Sequence, residues 1–205
     1  MIGAPQHHPS VETLTAFAAG TQRAGFDFVT AAHVNMCAQC QRHVAALEYV
    51  GGAGIAEGAA VEVDAHSLSH ALNRLDIPPK APQPAYSIED ILRKAKRRWV
   101  APGIWVAKVE TPHATEDRVY MLGAAPGAVT AKHTHEGPEF THILSGALQD
   151  DGVIYRAGDF SERGSDHMHR PSAYGDEPCI CLFATNGPLK AQDFISRLAF
   201  MVAGV

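Results

Sequence analysis

Gly127-Ala-Val-Thr-Ala-Lys-His133-Thr-His135-Glu-Gly-Pro-Glu139-Phe-Thr-His-Ile-Leu-Ser-Gly146 places two imidazoles and a carboxylate within seven residues. His133 and His135 stand two apart, so on a strand both side chains leave the same face. Glu139 follows a Gly137-Pro138 turn that can return its carboxylate to that face. Imidazoles with one carboxylate make a mixed nitrogen and oxygen site, and geometry decides among zinc, iron, manganese and nickel. Around this stretch the chain is cut into short apolar segments at 104–109, 119–124, 140–144, 152–155 and 179–184, separated by Gly, Pro and Asp. Such spacing predicts an all-β sandwich or barrel after residue 99.

The pattern Gly127-x5-His133-x-His135-x3-Glu139-x6-Gly146 is similar to the first motif of the cupins at every named position. That resemblance implies a jelly-roll barrel with the ligands inside it. It also implies one more histidine from a second motif, and Gly158-Asp159 with His169 stand at the expected separation. His167 is the alternative, two residues away. Gly164, Asp166 and Ala173 replace the usual proline, glycine and asparagine, which leaves the ligand spacing intact but changes the loop. His142 falls off the ligand alternation and is expected to face solvent or a neighbouring strand. Cys179 and Cys181 flank Ile180 on one face of a strand. Buried core is the plain reading of them, and a redox-responsive pair the other.

The first half of the chain has a different texture. Ser10 can cap a helix that Gly20 ends. Helical runs follow at about 25–36 and 37–50, the latter stopped by Gly51-Gly52. Residues 51–60, rich in Gly and Ala, read as a flexible connection. A short amphipathic helix starts at Asp64 or Ser67, with Leu68, Leu72 and Leu75 on one face. Within the helical part, His33-Val-Asn-Met-Cys37-Ala-Gln-Cys40 has the form H-x3-C-x2-C. On a helix, or across a tight helix-helix junction, residues i, i+4 and i+7 share a face, so one imidazole and two thiols can converge. Zinc takes such ligands tetrahedrally, and His7 or His8 can supply the fourth. A thioredoxin-like reading of Cys37 and Cys40 lacks the preceding strand it needs.

Four prolines at 78, 79, 82 and 84 forbid a helix and mark a semi-rigid spacer. A basic helix end at 93–98 follows it. The division is therefore a small all-α zinc-binding domain at 1–76, a linker with basic helix at 77–98, and an all-β barrel at 99–205. Composition agrees with a folded protein: 46% hydrophobic and 19% charged residues over 205 positions. The net charge of −5 disfavours direct DNA binding and suits an inhibitor of a basic partner. No apolar run is long enough to span a membrane, and the N-terminus has neither a basic start nor an apolar core. The expected location is the cytoplasm, where the four cysteines read as ligands or core before disulfides.

The run from His7-His8 to Gly20, followed by His33-x3-Cys37-x2-Cys40 and the strand ending at 179–185, resembles the zinc-binding anti-sigma factors of the ChrR type. This resemblance implies zinc on His8, His33, Cys37 and Cys40, with a second divalent metal in the barrel on His133, His135, Glu139 and His169, zinc first. It implies an extracytoplasmic-function sigma factor as partner, held by the helical domain. The barrel would then be needed for release under oxidative stress, through a small molecule or an oxidant, and the chain would be a regulator without catalysis. The competing reading is a cupin metalloenzyme, a dioxygenase or isomerase, with a helical accessory domain.

Overall fold

The computed structural model describes residues 4–64, 66–75, 90, 93–111, 115–165, 168–187 and 190–191. The proline-rich spacer, the start of the basic helix, the Leu75 side chain, Asp166 and His167 lie outside the described residues. Among the described residues, the bounded elements are four helices followed by eleven strands, the helices being α1 (Val11–Ala18), α2 (Ala24–Val34), α3 (Ala38–Ala56) and α4 (Ser67–Leu75). The Ser10 hydroxyl accepts the Thr13 amide at 3.2 Å, and the helix stops where the Gly20 and Thr21 amides bond back to Phe17 and Ala16. The helix start at 67 is prepared by Asp64, whose Oδ1 accepts the His66 amide at 2.7 Å.

Two expectations about helix ends are corrected. Gly51-Gly52 does not end α3, which runs on to Ala56. A glycine stops a helix by taking the left-handed conformation, and neither of these does. The basic segment is also shorter as a helix than expected, because Arg98 already opens strand β1 (Arg98–Ala101). Arg98 and Trp99 pair with Val106 and Trp105 of β2 (Ile104–Lys108), while the Arg97 guanidinium lies 4.6 Å over the Trp105 ring. Sheet pairing overrides the helical preference of the basic run.

The remaining strands are β3 (Arg118–Ala124), β4 (His133–Thr134), β5 (Glu139–Ser145), β6 (Ala147–Asp150), β7 (Val153–Arg156), β8 (Phe160–Arg163), β9 (Ser172–Ala173), β10 (Cys179–Thr185) and β11 (Lys190–Ala191). They form a six-stranded sheet ordered β1-β2-β3-β10-β5-β8, a three-stranded sheet β7-β6-β9 and the pair β11-β4, with every pairing antiparallel. Alternation sorts the side chains of the large sheet. Tyr120, Ile143, Cys179, Cys181 and Phe183 turn into the barrel, where they meet Leu148 and Tyr155. Val119, Met121, Leu182 and Ala184 turn outward.

That outward face is not wetted. Phe26, Val29 and Ala32 of α2 cover it and complete a second core with Trp105, Met121, Phe160 and Leu182. Phe26 meets Phe140 edge-on, ring centroids 4.8 Å apart. A third core binds α1 to α3 through Leu14, Val34, Cys37, Cys40 and Val44. The helices and the barrel are thus packed directly on one another. This contact corrects the expectation for His142, which is fully buried under α2, its ring 5.5 Å from that of His33. Outward residues of β5 pack on the core that α2 completes, His142 fully and Phe140 and Leu144 in part.

Candidate metal centres

His33 ends α2, Cys37 sits at the N-cap of α3 and Cys40 in its first turn, so the helix junction gathers three donors. His8 arrives from the extended segment before α1. Its Nδ1 lies 3.4 Å from Cys37 Sγ and 3.5 Å from Cys40 Sγ, and His33 Nε2 lies 3.4 Å from Cys40 Sγ. Zinc bound tetrahedrally at about 2.0 Å to nitrogen and 2.3 Å to sulfur would hold S and N donors about 3.5 Å apart. The four donors fit a metal at that spacing, and all lie within 4.8 Å of one another. His7 turns elsewhere, to Asp159 and the Tyr155 ring.

Protonation supports the fit. His33 Nδ1 donates to the Gly158 carbonyl at 2.9 Å, which leaves its Nε2 lone pair aimed at the thiols. Burial, together with the neighbouring His142, lowers the His33 pKa to about 4, and burial lowers that of His8 as well. Both rings are therefore neutral and able to donate electron pairs at neutral pH. Burial and the adjacent Cys37 push the Cys40 thiol up to about 12, so without a cation the sulfur keeps its proton.

The second cluster is inside the barrel. His133 on β4, His135 after it, Glu139 at the start of β5 and His169 opposite β4 are all buried. His169 Nε2 lies 3.1 Å from Nε2 of both His133 and His135, and Glu139 Oε2 lies 3.2 Å from His135 Nε2. Two of these rings are oriented from behind: His133 Nδ1 bonds to the Ala131 carbonyl at 2.8 Å and His169 Nδ1 to the Asp150 carboxylate at 3.0 Å. Nitrogen lone pairs facing each other at this distance repel, and a shared cation removes the repulsion. Burial opposes ionisation of Glu139, but the His135 hydrogen bond and the surrounding imidazoles outweigh it and hold the carboxyl below its usual range.

The structure brings every expected donor to one of these two clusters, and His8, not the alternative His7, reaches the first. Spacing did not disclose the residues behind them. Asp150 accepts from His169 and from Arg163, whose Nε lies 3.0 Å away. Asp159 accepts the Gln6 and His7 amides at 2.7 and 3.1 Å on one oxygen, and the Arg156 amide and His7 Nδ1 at 2.8 and 3.0 Å on the other. In the sequence Asp159 stands out only as part of the Gly158-Asp159 pair of the second motif, and Asp150 carries no such mark. Cys179 and Cys181 belong to the barrel core, their sulfurs 3.5 Å apart. Among the described residues no helix is long and apolar enough to cross a membrane.

Comparison with known proteins extends these observations. A family model described as the ChrR Cupin-like domain matches residues 89–190. The anti-sigma-E factor ChrR of Cereibacter sphaeroides is 32% identical over 209 aligned positions, which cover 94% of this chain and 95% of that protein. The crystal structure of Rhodobacter sphaeroides SigE in complex with the anti-sigma ChrR superposes with a TM-score of 0.74 at 30% identity, covering 89% of this chain and all of that one. With agreement that runs through both the helices and the barrel, the chain belongs to the ChrR family of anti-sigma factors.

Proposed function

We propose that this chain is a cytoplasmic, zinc-dependent anti-sigma factor whose helical part sequesters an extracytoplasmic-function sigma factor. One observation carries the reading. The far half of α3 and the whole of α4 present apolar side chains that nothing in the described fold covers: Tyr49 is 78% exposed, Ile55 84%, Leu68 69% and Leu72 51%. Apolar side chains left exposed on α3 and α4 mark a protein-binding surface, read as helix against groove. The complex of a family member with SigE supports a sigma factor as the occupant.

His8, His33, Cys37 and Cys40 would hold zinc as a closed structural site, tying the first segment to α2 and α3 where the bundle is too small to hold itself together. His133, His135, Glu139 and His169 would hold the second ion, zinc first, with iron, manganese or nickel also compatible with three imidazoles and a carboxylate. Such an ion supplies a Lewis-acid or redox centre inside the barrel. The residues 1–76 form the binding unit and 99–205 the sensing unit, joined by the linker between. Release under oxidative stress would start at the barrel or at a zinc thiolate.

The test is co-expression with a candidate sigma factor, gel filtration and metal analysis of the complex. Wild type should co-elute with the sigma factor, and Cys37→Ala or Cys40→Ala should lose zinc and partner together. Leu68→Glu with Leu72→Glu should lose the partner while keeping zinc. A zinc-free Cys40→Ala chain that still binds the sigma factor would refute zinc as the structural tie.

A further inference from the structure

The barrel reaches into the first metal cluster through one turn, residues 156–159 between β7 and β8. The Gly158 carbonyl accepts from His33 Nδ1 at 2.9 Å. The Asp159 carboxylate takes both backbone amides that lead up to His8 and the His7 ring besides. The next residue, Phe160, donates its amide to the His7 carbonyl at 3.0 Å, and Glu162 accepts the Ser10 amide at 2.9 Å. Residues 6–10 are thereby strapped along β8, the edge strand of the large sheet. The turn itself is fixed from inside the barrel: the Gly158 amide bonds to the Ile143 carbonyl of β5 at 2.8 Å, and Asp159 Oδ2 takes the Arg156 amide. Gly158 has φ +97°, a conformation in which a side chain is strained.

Both histidines of the first cluster are therefore held by the barrel, whereas both cysteines are held by α3. The strand that anchors the turn, β5, also carries Glu139 of the second cluster at its start. We propose that the 156–159 turn is the positioning element of the N-terminal metal site. It orients His33 through the Gly158 carbonyl, delivers His8 through Asp159, and so lets the barrel set how tightly the helical part keeps its metal. The inference rests on the reading of that cluster as a metal site. A metal ligand whose supporting hydrogen bond is removed commonly loses about 10- to 100-fold in affinity.

Cobalt(II) loaded into the full chain gives the experiment a selective reporter. The sulfur-to-cobalt charge-transfer band reports Cys37 and Cys40 alone, because the barrel cluster contains no sulfur donor. Loss of the band after adding excess chelator measures release. Asp159→Asn removes an acceptor from a group that faces four donors, so release should quicken about tenfold or more. Its ligand-field bands should also change, as one imidazole gives way to solvent. His7→Ala leaves the Asp159 carboxylate in place and gives up only the contacts of its ring with Asp159 and the Tyr155 ring, so it should quicken release by less.

Asp117→Asn is the control. It weakens another contact between barrel and helices, the Asp117 carboxylate on the Gly25 amide at 3.0 Å and on Arg23. It should release metal at the wild-type rate. The proposal is overturned if Asp159→Asn and His7→Ala match wild type in rate and spectrum with the barrel metal retained. It is overturned equally if Asp117→Asn quickens release as much as Asp159→Asn. A wild-type chain with no charge-transfer band would sink the metal reading itself and this inference with it.

Discussion

A proton on His142 would sit in the dry layer between β5 and α2. Its Nδ1 bonds to the Asp159 carbonyl at 3.1 Å, and burial lowers its pKa to about 4. Unfolded, the same imidazole protonates at about 6.5. Between these values the unfolded chain binds more protons than the folded one, so stability is full above about pH 6.5, falls as pH drops from about 6.5 to about 4 and levels off below. Replacing the ring by Phe should remove about 2 kcal/mol from the stability difference between pH 7 and pH 5, read by urea unfolding of both proteins at both pH values. An unchanged pH difference would show that the ring takes up its proton in the fold at the same pH as in the unfolded chain. Asp150 makes the companion case inside the barrel, where its carboxylate serves His169 and Arg163 together. Asp150→Asn should weaken the barrel site by about 10- to 100-fold in a chelator competition while leaving the N-terminal metal in place. The donors themselves were legible because their spacing is a statement about one strand face or about the tight junction of two helices. His142 was not, since alternation tells which way a side chain points and says nothing of what covers that side.

The same limit governs the elements. The run Cys179-Ile-Cys-Leu-Phe-Ala-Thr185 lacks the apolar and polar alternation of a half-exposed strand, and the structure explains it. One set of its side chains fills the barrel and the other meets α2, the pattern of a strand buried on both faces. Helix α2 in turn is apolar around much of its surface because it lies between the barrel and the junction that carries Cys37 and Cys40. Phe26 is its main anchor on the sheet, and Phe26→Ala should cost about 3–5 kcal/mol, read as a shift of the urea midpoint at constant slope. A loss below about 1 kcal/mol would mean that α2 is only loosely seated. Strand positions in the barrel followed from their turn residues. The reach of α3 past Gly51-Gly52 did not, because glycine is compatible with both a helix and its end, and only the backbone conformation at those two positions decides between them.

At the scale of the molecule, the exposed apolar faces and the barrel metal cluster are carried by different elements. Tyr49, Ile55, Leu68 and Leu72 lie on α3 and α4, while His133, His135, Glu139 and His169 lie on strands and their loops. Affinity for a sigma factor in the resting state should therefore depend on the helical surface and on zinc at Cys37 and Cys40, and little on the barrel ion. Response to a signal should have the opposite dependence, because the barrel touches the helical part through the His33 and His8 supports and through the α2 face. His133→Ala separates the two. It should still repress sigma-dependent transcription without stress, and an oxidant that relieves repression by wild type should relieve it several-fold less. The measurement is a sigma-dependent reporter with and without the oxidant, accompanied by metal analysis that shows one ion lost and one kept. If His133→Ala instead fails to repress while its N-terminal zinc is intact, the barrel ion contributes to sigma binding directly. The shared core between α2 and the large sheet would then make the helical and barrel parts one functional unit.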